Sequence, residues 1–320
     1  MHYFIILLLL FVLEMVYFKI ADRFNIIDKP NHRSSHTDIT LRGGGIIFPI
    51  AMLIACVLGD ASLLFTAAVL VVGIVSFIDD IRPLSTFPRF GAHILATILV
   101  SYELGLFEGN LWFLPLIFIG MIGWINAFNF MDGINGITVL YAFVSILAFA
   151  YLFQNDAVFE LLMIMGLACL VFGFFNIRKK AKTFAGDVGS VAMAVFLGYM
   201  MLKAIFELEN VAYILLFSVY GIDAAITILY RLKNKENILK PHRSHLYQYL
   251  ANEMGWSHLK VSFLYAFVQL VISAIAIYLI EKHQMSWFGT GVILAFLSGV
   301  YFVIRNSVKT VSYTHLTLPT

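Results

Sequence analysis

ASLLFTAAVLVVGIVSFIDDIR, residues 61–82, decides how this chain must fold, because its long apolar run ends in two carboxylates and an arginine. About 20 helical residues at 1.5 Å each are needed to cross ~30 Å of hydrocarbon, and the apolar part approaches that length. Ten similar stretches lie near residues 3–21, 43–58, 91–107, 111–127, 137–153, 157–177, 188–206, 211–230, 261–280 and 287–304. We therefore expect an all-α polytopic membrane protein with about eleven transmembrane helices.

The composition favours the same class. The chain is 61% hydrophobic and only 12% charged, whereas soluble domains average about 25% charged residues. Residues 1–311 are expected to form a single integral membrane domain, because the connecting loops leave no room for a soluble one. The last stretch, SYTHLTLPT at 312–320, matches nothing else in the chain and is expected to be a disordered or non-native tail.

The charges of the loops predict the orientation. Basic residues near short loops favour the cytoplasm. Alternate loops hold nearly all of them: Arg23, Lys29, Arg33, Arg42, Arg82, Arg89, Arg178, Lys179, Lys180, Lys182, Arg231, Lys233, Lys235, Lys240, Arg243, Lys260, Arg305 and Lys309. The opposite loops are mainly acidic. With eleven spans, the N-terminus lies outside and the C-terminus in the cytoplasm.

Four polar motifs fall on the predicted cytoplasmic side, and the first is the acid pair Asp79 and Asp80 in DDIR. Carboxylates at a helix C-terminus are disfavoured by the helix dipole. A solvated helix end offset by Arg82 is one interpretation. We favour a divalent-cation site, because other carboxylates fall on the same side and Mg²⁺ takes oxygen ligands that it often shares with substrate phosphates.

The second motif is NAFNFMDGING at Asn126–Gly136. Asn126, Asn129 and Asp132 recur at intervals of three residues and would form a ridge along one helix face. A helix cap followed by a turn is the simpler alternative. Two amides and an acid are more than a cap needs, so we favour a functional site.

The third motif is FAGDVGS at Phe184–Ser190. Asp187 in it could be a helix N-cap, for which aspartate is preferred. The flanking glycines would expose backbone N–H groups at a helix N-terminus, where anions bind favourably. We favour Asp187 as a metal ligand beside these amides.

Two loops offer donors for an anionic substrate. The fourth motif, PHRSH at Pro241–His245, could bind a phosphate or could be an ordinary solvated loop. The first inner loop could be a flexible linker or a second source of donors. The candidate binding residues are Arg33, Ser35, His36 and Arg42 in the first inner loop and His242, Arg243 and His245 in the fourth motif.

One further acid, Asp223, lies inside a predicted span. An intramembrane acid is a functional candidate by default, although a salt bridge between helices would also explain it.

Together these motifs resemble those of the bacterial polyprenyl-phosphate N-acetylhexosamine-1-phosphate transferases, a branch of glycosyltransferase family 4. The superfamily also contains the phospho-MurNAc-pentapeptide translocase of peptidoglycan synthesis. The resemblance runs from RSSH…RGGG at 33–45 to HRSH at 242–245, in the expected order and spacing.

The resemblance implies transfer of a sugar 1-phosphate from a UDP-N-acetyl sugar to undecaprenyl phosphate, with release of UMP. It implies Mg²⁺, with Mn²⁺ as a substitute, and a site facing the cytoplasm in the bacterial inner membrane. The partners would be the two substrates and the bilayer, with no nucleic acid; a homodimer would be unsurprising.

Residue roles also follow from the resemblance. Asp187 matches the principal metal-binding aspartate, and Asp79 and Asp80 match the pair proposed to activate or position the lipid phosphate. We expect Asp80 to share in metal binding and Asp79, Asp80 and Asp132 to act in catalysis. Asn129 and Asp132 match active-site residues near the nucleotide, and the fourth motif matches the histidine-rich loop.

The chain departs from the family at two places. Asn135 replaces the last acid of the extended DGxDG motif, and the loop reads HRSH instead of consecutive histidines. RSSH…RGGG and HRSH place the chain nearer the O-antigen-initiating branch, whose donors are UDP-GlcNAc or UDP-N-acetyl-6-deoxyhexosamines. Peptidoglycan synthesis is the alternative.

Two other classes of membrane protein fit less well. A secondary transporter would place ionisable groups near mid-membrane in broken helices, often within inverted repeats. A CDP-alcohol phosphotransferase would need a denser run of aspartates and glycines.

Overall fold

The structure, a computed structural model, describes residues 1–28, 39–109, 111–237 and 243–317, with side chains described as far as residue 308. Helices dominate it. The first six are α1 (His2–Arg23), α2 (Ile47–Leu58), α3 (Leu63–Ile81), α4 (Thr86–Glu103), α5 (Leu114–Met131) and α6 (Ile137–Leu152). The others are α7 (Val158–Asn176), α8 (Gly186–Glu207), α9 (Ser218–Lys233), the single turn α10 (Leu246–Gln248), α11 (His258–Glu281) and α12 (Trp287–Thr317).

Each of the eleven predicted stretches coincides with a helix. Within the described ranges, eight helices are long and apolar enough to cross a membrane. Two shorter apolar helices, Gly44–Leu58 and Ile137–Leu152, correspond to two more stretches. The remaining one is α4, which begins at Thr86 and not near residue 91. An all-α polytopic membrane protein is thus confirmed, while the number of crossings and their direction stay predictions.

In the residues that the structure describes, extended structure consists of two short strands beside α1. Strand β1 (Ile27–Asp28) pairs antiparallel with β2 (Thr40–Leu41). Leu41 also forms a parallel bridge with Thr183. These pairings bring the segment before α2 alongside the segment before α8.

Helix α8 lies at the centre of the bundle. It packs against α3 on one side and α5 on the other, with α2 and α6 completing its surroundings. Nearly all of its side chains are buried, from Val188 to Ala204. Because α8 is enclosed on every side, its N-terminal end is a fixed point around which other polar groups are arranged.

Helix α12 lies at the periphery, with large exposed apolar side chains such as Phe288 and Phe296. It continues to Thr317, so helix extends into the segment for which the sequence predicts a disordered or non-native tail. Glycine and proline are absent between residues 300 and 318, and this permits the helix to continue.

Candidate active site

Three aspartates from two helices meet at one end of the bundle. Asp79 and Asp80 end α3, and Asp187 begins α8. The Asp80 carboxylate accepts hydrogen bonds from the backbone N–H groups of Asp187 and Val188, both at 3.0 Å. The DDIR and GDVGS motifs therefore form one site, as the topology count predicts.

Asp80 occupies the helix terminus that the sequence offers to a substrate anion. Its two oxygens accept the first N–H groups of α8, where the helix dipole favours a negative charge. Gly186 makes room for this contact, because its φ is +69° and a Cβ there would lie 2.5 Å from Oδ2 of Asp80. The predicted anion site thus holds a carboxylate of the protein itself.

Arg42 connects the two carboxylates from the opposite side. Its Nε lies 2.7 Å from Oδ1 of Asp80, and its Nη2 lies 3.7 Å from Oδ1 of Asp187. Burial alone would lower the pKa of Arg42, but the charges of Asp80 and Asp187 outweigh burial and raise it. The Tyr17 hydroxyl donates to the Arg42 carbonyl at 2.6 Å and fixes the turn.

Asp79 is held by Arg89 of α4 and by the turn before that helix. Its Oδ1 accepts the backbone N–H of Leu84 at 2.5 Å, and its Oδ2 lies 2.9 Å from Nη1 of Arg89. The same guanidinium nitrogen lies 3.7 Å from Oδ2 of Asp187. The cations that offset the acid pair are therefore Arg42 and Arg89, and not Arg82, which is exposed.

The glycines of RGGG permit close backbone contact with GDVGS. The N–H groups of Gly44 and Gly45 donate to the carbonyls of Phe184 and Ala185 at 2.9 and 3.0 Å. A Cβ at Gly189 would lie 2.6 Å from the Cα of Gly45, too close for any side chain. Arg42 is thus held beside Asp80 and Asp187 by contact between two backbones.

Asn129 and Asp132 of the second motif lie at the end of α5, facing the same region. Asn129 accepts a hydrogen bond from the Ser190 hydroxyl at 2.6 Å, which joins α5 to α8. Oδ1 of Asp132 accepts the Thr138 hydroxyl at 2.5 Å. Withdrawal from water raises the pKa of Asp132 to about 6, the Thr138 hydrogen bond opposes this, and the charge of Asp187 adds to it.

Asn126 does not join this group. Its side-chain amide donates to the carbonyl of Ile122 in its own helix at 2.7 Å. The ridge predicted from spacing is therefore shorter than expected, because α5 ends at Met131 and Asp132 already lies in the following turn. The substrate-binding role of Asn126 stays a prediction without a contact that supports it.

The structure gives a reason for the departure at Asn135. This buried amide donates to the carbonyls of Arg178 at 2.9 Å and Lys179 at 3.3 Å. An ionised aspartate has no donor and would place its charge against two carbonyl oxygens. Asn135 therefore joins the segment after α7 to the turn before α6, and the charge expected from the family motif is absent.

In its described residues, the fourth motif has one buried residue, His245, and one exposed residue, Arg243. Nδ1 of His245 lies 3.1 Å from Oδ1 of Asp223. Two residues on, the Tyr247 hydroxyl donates to the carbonyl of Phe130 at 2.9 Å and packs directly on Gly133. The loop is thereby attached to the second motif, close to Asp132.

Four predicted binding residues, Arg33, Ser35, His36 and His242, lie outside the described residues. Their positions relative to the aspartates stay predictions.

The sequence analysis missed several residues of the site. Arg89 lies in α4 within TFPRF, where the sequence pattern indicates only a basic residue that favours the cytoplasmic side. Asn176 at the end of α7 accepts the Gly136 N–H at 2.7 Å and donates to the Thr183 carbonyl at 2.9 Å, so it joins the second motif to the residue before the third. The sequence feature that could have identified Asn176 is a single amide at the predicted end of a membrane span. Ser190 and Tyr247 stand inside or beside the motifs, but nothing in their spacing shows their contacts.

Among the three aspartates, Asp187 is the best placed to bind a metal ion. Asp80 already has three donors and Asp79 two, while the nearest cations to Asp187 lie at 3.7 Å. Its side chain is also the most exposed of the three, at 22%. A partly exposed carboxylate fits Mg²⁺, which keeps several water or substrate ligands. In the described part of the chain, no three His, Cys, Asp or Glu side chains are arranged as a complete metal site.

Comparisons with known proteins agree with these motifs. Residues 62–205 match the family described as Glycosyl transferase family 4. The matched segment contains Asp79, Asp80, Asp132 and Asp187.

Three relatives illustrate the similarity. A probable undecaprenyl-phosphate N-acetylglucosaminyl 1-phosphate transferase of Bacillus subtilis (strain 168) is 25% identical over 281 residues, 79% of this chain and 76% of the relative. A phospho-N-acetylmuramoyl-pentapeptide-transferase of Lactococcus lactis subsp. cremoris (strain SK11) is 28% identical over 198 residues, 58% of this chain and 57% of the relative. The enzyme with the same name from Streptococcus suis (strain 05ZYH33) is 26% identical over 279 residues, 73% of this chain and 83% of the relative.

Proposed function

We propose that this chain, whose residues 62–205 match the model of Glycosyl transferase family 4, transfers a sugar 1-phosphate from a UDP-sugar to undecaprenyl phosphate and releases UMP. It is a phosphotransferase of the same kind as these relatives. The observation that carries the proposal is the contact of the Asp80 carboxylate with the N-terminus of α8, which unites Asp79, Asp80 and Asp187.

The chemistry requires that two anions approach each other. Catalysis of phosphoryl transfer is mostly positioning and charge neutralisation. Arg42 and Arg89 lie near different oxygens of Asp187, so both guanidinium groups are placed to neutralise phosphate oxygens bound beside this carboxylate. Bound at Asp187, Mg²⁺ would supply the remaining neutralisation, and Mn²⁺ would substitute for it.

The carboxylates of Asp79, Asp80 and Asp132 have different roles in the proposed reaction. Asp80 holds the N-terminus of α8 and Arg42, so its part in metal binding is secondary. Asp79 orients Arg89. A phosphate nucleophile is already ionised near pH 7, so Asp79 is not required as a strong base. Asp132, beside the Tyr247 contact, borders the region where we place the nucleotide.

The membrane location follows from the acceptor. The tail of a polyprenyl phosphate stays in lipid while its phosphate lies at the interface, and the aspartates lie at helix ends. We place this end in the cytoplasm of a bacterial inner membrane, on the charge distribution of the loops.

The donor decides the pathway. We favour an N-acetylhexosamine or 6-deoxy-N-acetylhexosamine, and with it initiation of O-antigen or a related cell-envelope polysaccharide, because RSSH…RGGG and the HRSH loop resemble that branch of the family. Transfer of phospho-MurNAc-pentapeptide is the second candidate, supported by the names of two relatives.

A donor panel tests the proposal. Membranes containing the protein are supplied with undecaprenyl phosphate and, in turn, UDP-GlcNAc, UDP-N-acetyl-6-deoxyhexosamines and UDP-MurNAc-pentapeptide. We expect one donor to give a lipid product whose mass includes the sugar 1-phosphate, dependent on Mg²⁺ and abolished by EDTA. Membranes without the protein are the control. Absence of a lipid product from every donor would reject the proposal.

A further inference from the structure

A buried cluster of polar side chains lies behind the fourth motif. It is centred on one carboxylate, that of Asp223 in α9. Asp223 is fully buried. Its Oδ1 accepts the Leu246 backbone N–H at 3.2 Å and lies 3.1 Å from Nδ1 of His245. One acid therefore holds both the ring of His245 and the backbone that follows it.

Two further helices supply donors to the same carboxylate. The Tyr265 hydroxyl of α11 donates to Oδ2 at 2.7 Å, and the Tyr301 hydroxyl of α12 donates to Oδ1 at 2.7 Å. Arg305, also buried, donates from Nη1 to the Tyr301 hydroxyl at 3.1 Å. A buried carboxylate is tolerated where it is hydrogen-bonded and a cation lies nearby. The cluster thus ties the peripheral α12 to the loop.

The cluster reaches the aspartates through the loop. The single turn α10 is closed by a capping box, in which Gln248 accepts the His245 backbone N–H at 3.2 Å. The Tyr247 ring stacks on the His245 ring, with 5.8 Å between centroids. Tyr247 then contacts Phe130 and Gly133, immediately beside Asp132.

We propose that Asp223 is a positioning residue of the transfer reaction, which fixes the His245 ring and thereby holds the loop beginning at Arg243 against the turn that carries Asp132. The inference rests on the proposed function. A salt bridge that merely joined helices would not need His245, since Tyr265, Tyr301 and the Leu246 N–H already supply three donors.

Asp223→Asn is the sharpest probe of this role. The Leu246 N–H can only donate, so the amide oxygen must take the place of Oδ1 while its NH₂ faces the Tyr265 hydroxyl, which can accept. The variant therefore keeps the hydrogen-bond geometry and removes the charge that orients the imidazole. Loss of groups that orient a functional histidine lowers activity about 10- to 100-fold in metal sites.

The experiment is a double-mutant cycle in lipid nanodiscs. The proteins are wild type, Asp223→Asn, His245→Gln and the double variant, with Asp156→Asn as a control acid at the other end of the bundle. We expect Asp223→Asn to lower kcat per folded molecule about tenfold or more in the wild-type background, with less than a twofold change in KM for the UDP-sugar. In the His245→Gln background the same substitution should change kcat less than about twofold, since effects carried by one unit are not additive.

Equal factors in both backgrounds, or an Asp223→Asn variant that lowers only the yield of folded protein, would overturn the inference. Solid-state NMR of ¹⁵N-labelled histidine gives a readout without turnover: the His245 signals, identified by their loss in His245→Gln, should shift in Asp223→Asn and stay unchanged in Asp156→Asn. Failure of the proposed function is distinguishable, because wild type would then give no lipid product while the NMR comparison still stands. Unchanged His245 signals in Asp223→Asn would also overturn the inference.

Discussion

At the scale of single residues, the Asp187 carboxylate differs from those of Asp79 and Asp80 because its cationic partners lie farther away. Asp80 and Asp79 are occupied by backbone N–H groups and guanidinium nitrogens at 2.5 to 3.0 Å, whereas the nearest cations to Asp187 lie at 3.7 Å. The two kinds of carboxylate should therefore respond differently to substitution. On the proposed mechanism, loss of Asp187 would remove a metal ligand, whereas loss of Asp80 removes the carboxylate of α3 that accepts the N–H groups of Asp187 and Val188 in α8.

The first prediction concerns Asp187→Asn. We expect transfer to fall at least about 10²-fold, comparable to loss of one electrostatic group in an active site, and Mn²⁺ binding measured by electron paramagnetic resonance to be lost. Thermal stability should stay near that of wild type, because the backbone N–H that contacts Asp80 remains. Asp60→Asn, at a predicted outer loop, is the control. Normal turnover in Asp187→Asn would remove Asp187 from the site.

The second prediction concerns the pH dependence of stability, which follows from Asp132. Its pKa is about 6 in the folded protein against about 3.9 when unfolded. The folded state binds the proton more tightly, so this contribution is present below pH 4 and is lost as pH rises through 6.

In metal-free buffer, the stability of wild type relative to Asp132→Asn should fall between pH 4 and pH 7.5 by about 2 to 3 kcal/mol, at 1.36 kcal/mol per unit. Thermal unfolding of both proteins at the two pH values measures it. A constant or widening difference would show that Asp132 is not withdrawn from water as the structure has it.

At the scale of elements, hydropathy predicts the helices well and their ends less well. The run from 61 to 78 predicts α3 because no charged residue interrupts it. The start of α4 was missed by about five residues, because Pro88 and Arg89 interrupt the apolar pattern. Pro88 is tolerated in the first turn of a helix, and Arg89 faces Asp79 and not lipid.

The site was predictable where side-chain chemistry marks it and not where contact is made by backbone. Adjacent acids, amides at helical spacing and a glycine-flanked aspartate are the patterns that predict Asp79, Asn129 and Asp187 as candidate site residues. By contrast, Asp80 accepts N–H groups at the start of α8, and the backbone of Gly45 packs against that of Gly189. Each of these contacts joins segments that are distant in sequence. Spacing along one chain cannot show such contacts.

The third prediction tests this backbone contact with Gly189→Ala. The added Cβ would lie 2.6 Å from the Cα of Gly45 and 3.0 Å from the Cβ of Ala185, so the backbones must separate. Overpacking of this kind costs about 1–3 kcal/mol. The melting temperature and the transfer rate should both fall, because Arg42 moves with the turn.

Gly221→Ala in α9 is the matched control, since a Cβ there meets nothing within 4 Å and alanine favours helix over glycine by about 1 kcal/mol. It should leave stability unchanged or slightly higher. Equal losses in the two variants would show that the contact between Gly45 and Gly189 is not specific.

At the scale of the whole molecule, the arrangement depends on orientation. The α3 end that carries Asp80 and the α8 end that carries Asp187 are in direct contact, so they share one side of the membrane. The loop charges predict that this side is the cytoplasm. Large apolar side chains exposed at the periphery, among them Trp112 before α5 and Phe296 in α12, are suited to lipid.

The fourth prediction therefore concerns thiol accessibility. In a background with Cys56 and Cys169 replaced, Arg82→Cys should react with an impermeant maleimide only after the membrane is opened. His283→Cys, between α11 and α12, should react in intact cells. The reverse pattern would put the site outside and away from a cytosolic UDP-sugar.

The most direct measurement of the central claim follows the two phosphates of the donor. The active UDP-sugar is labelled separately at its α- and β-phosphates and incubated with protein, Mg²⁺ and undecaprenyl phosphate. We expect the β label to enter the lipid and the α label to leave as UMP, since the sugar is transferred together with its phosphate. If both labels stay in UDP while the sugar enters the lipid, the protein transfers a sugar and not a sugar 1-phosphate, and the account is contradicted.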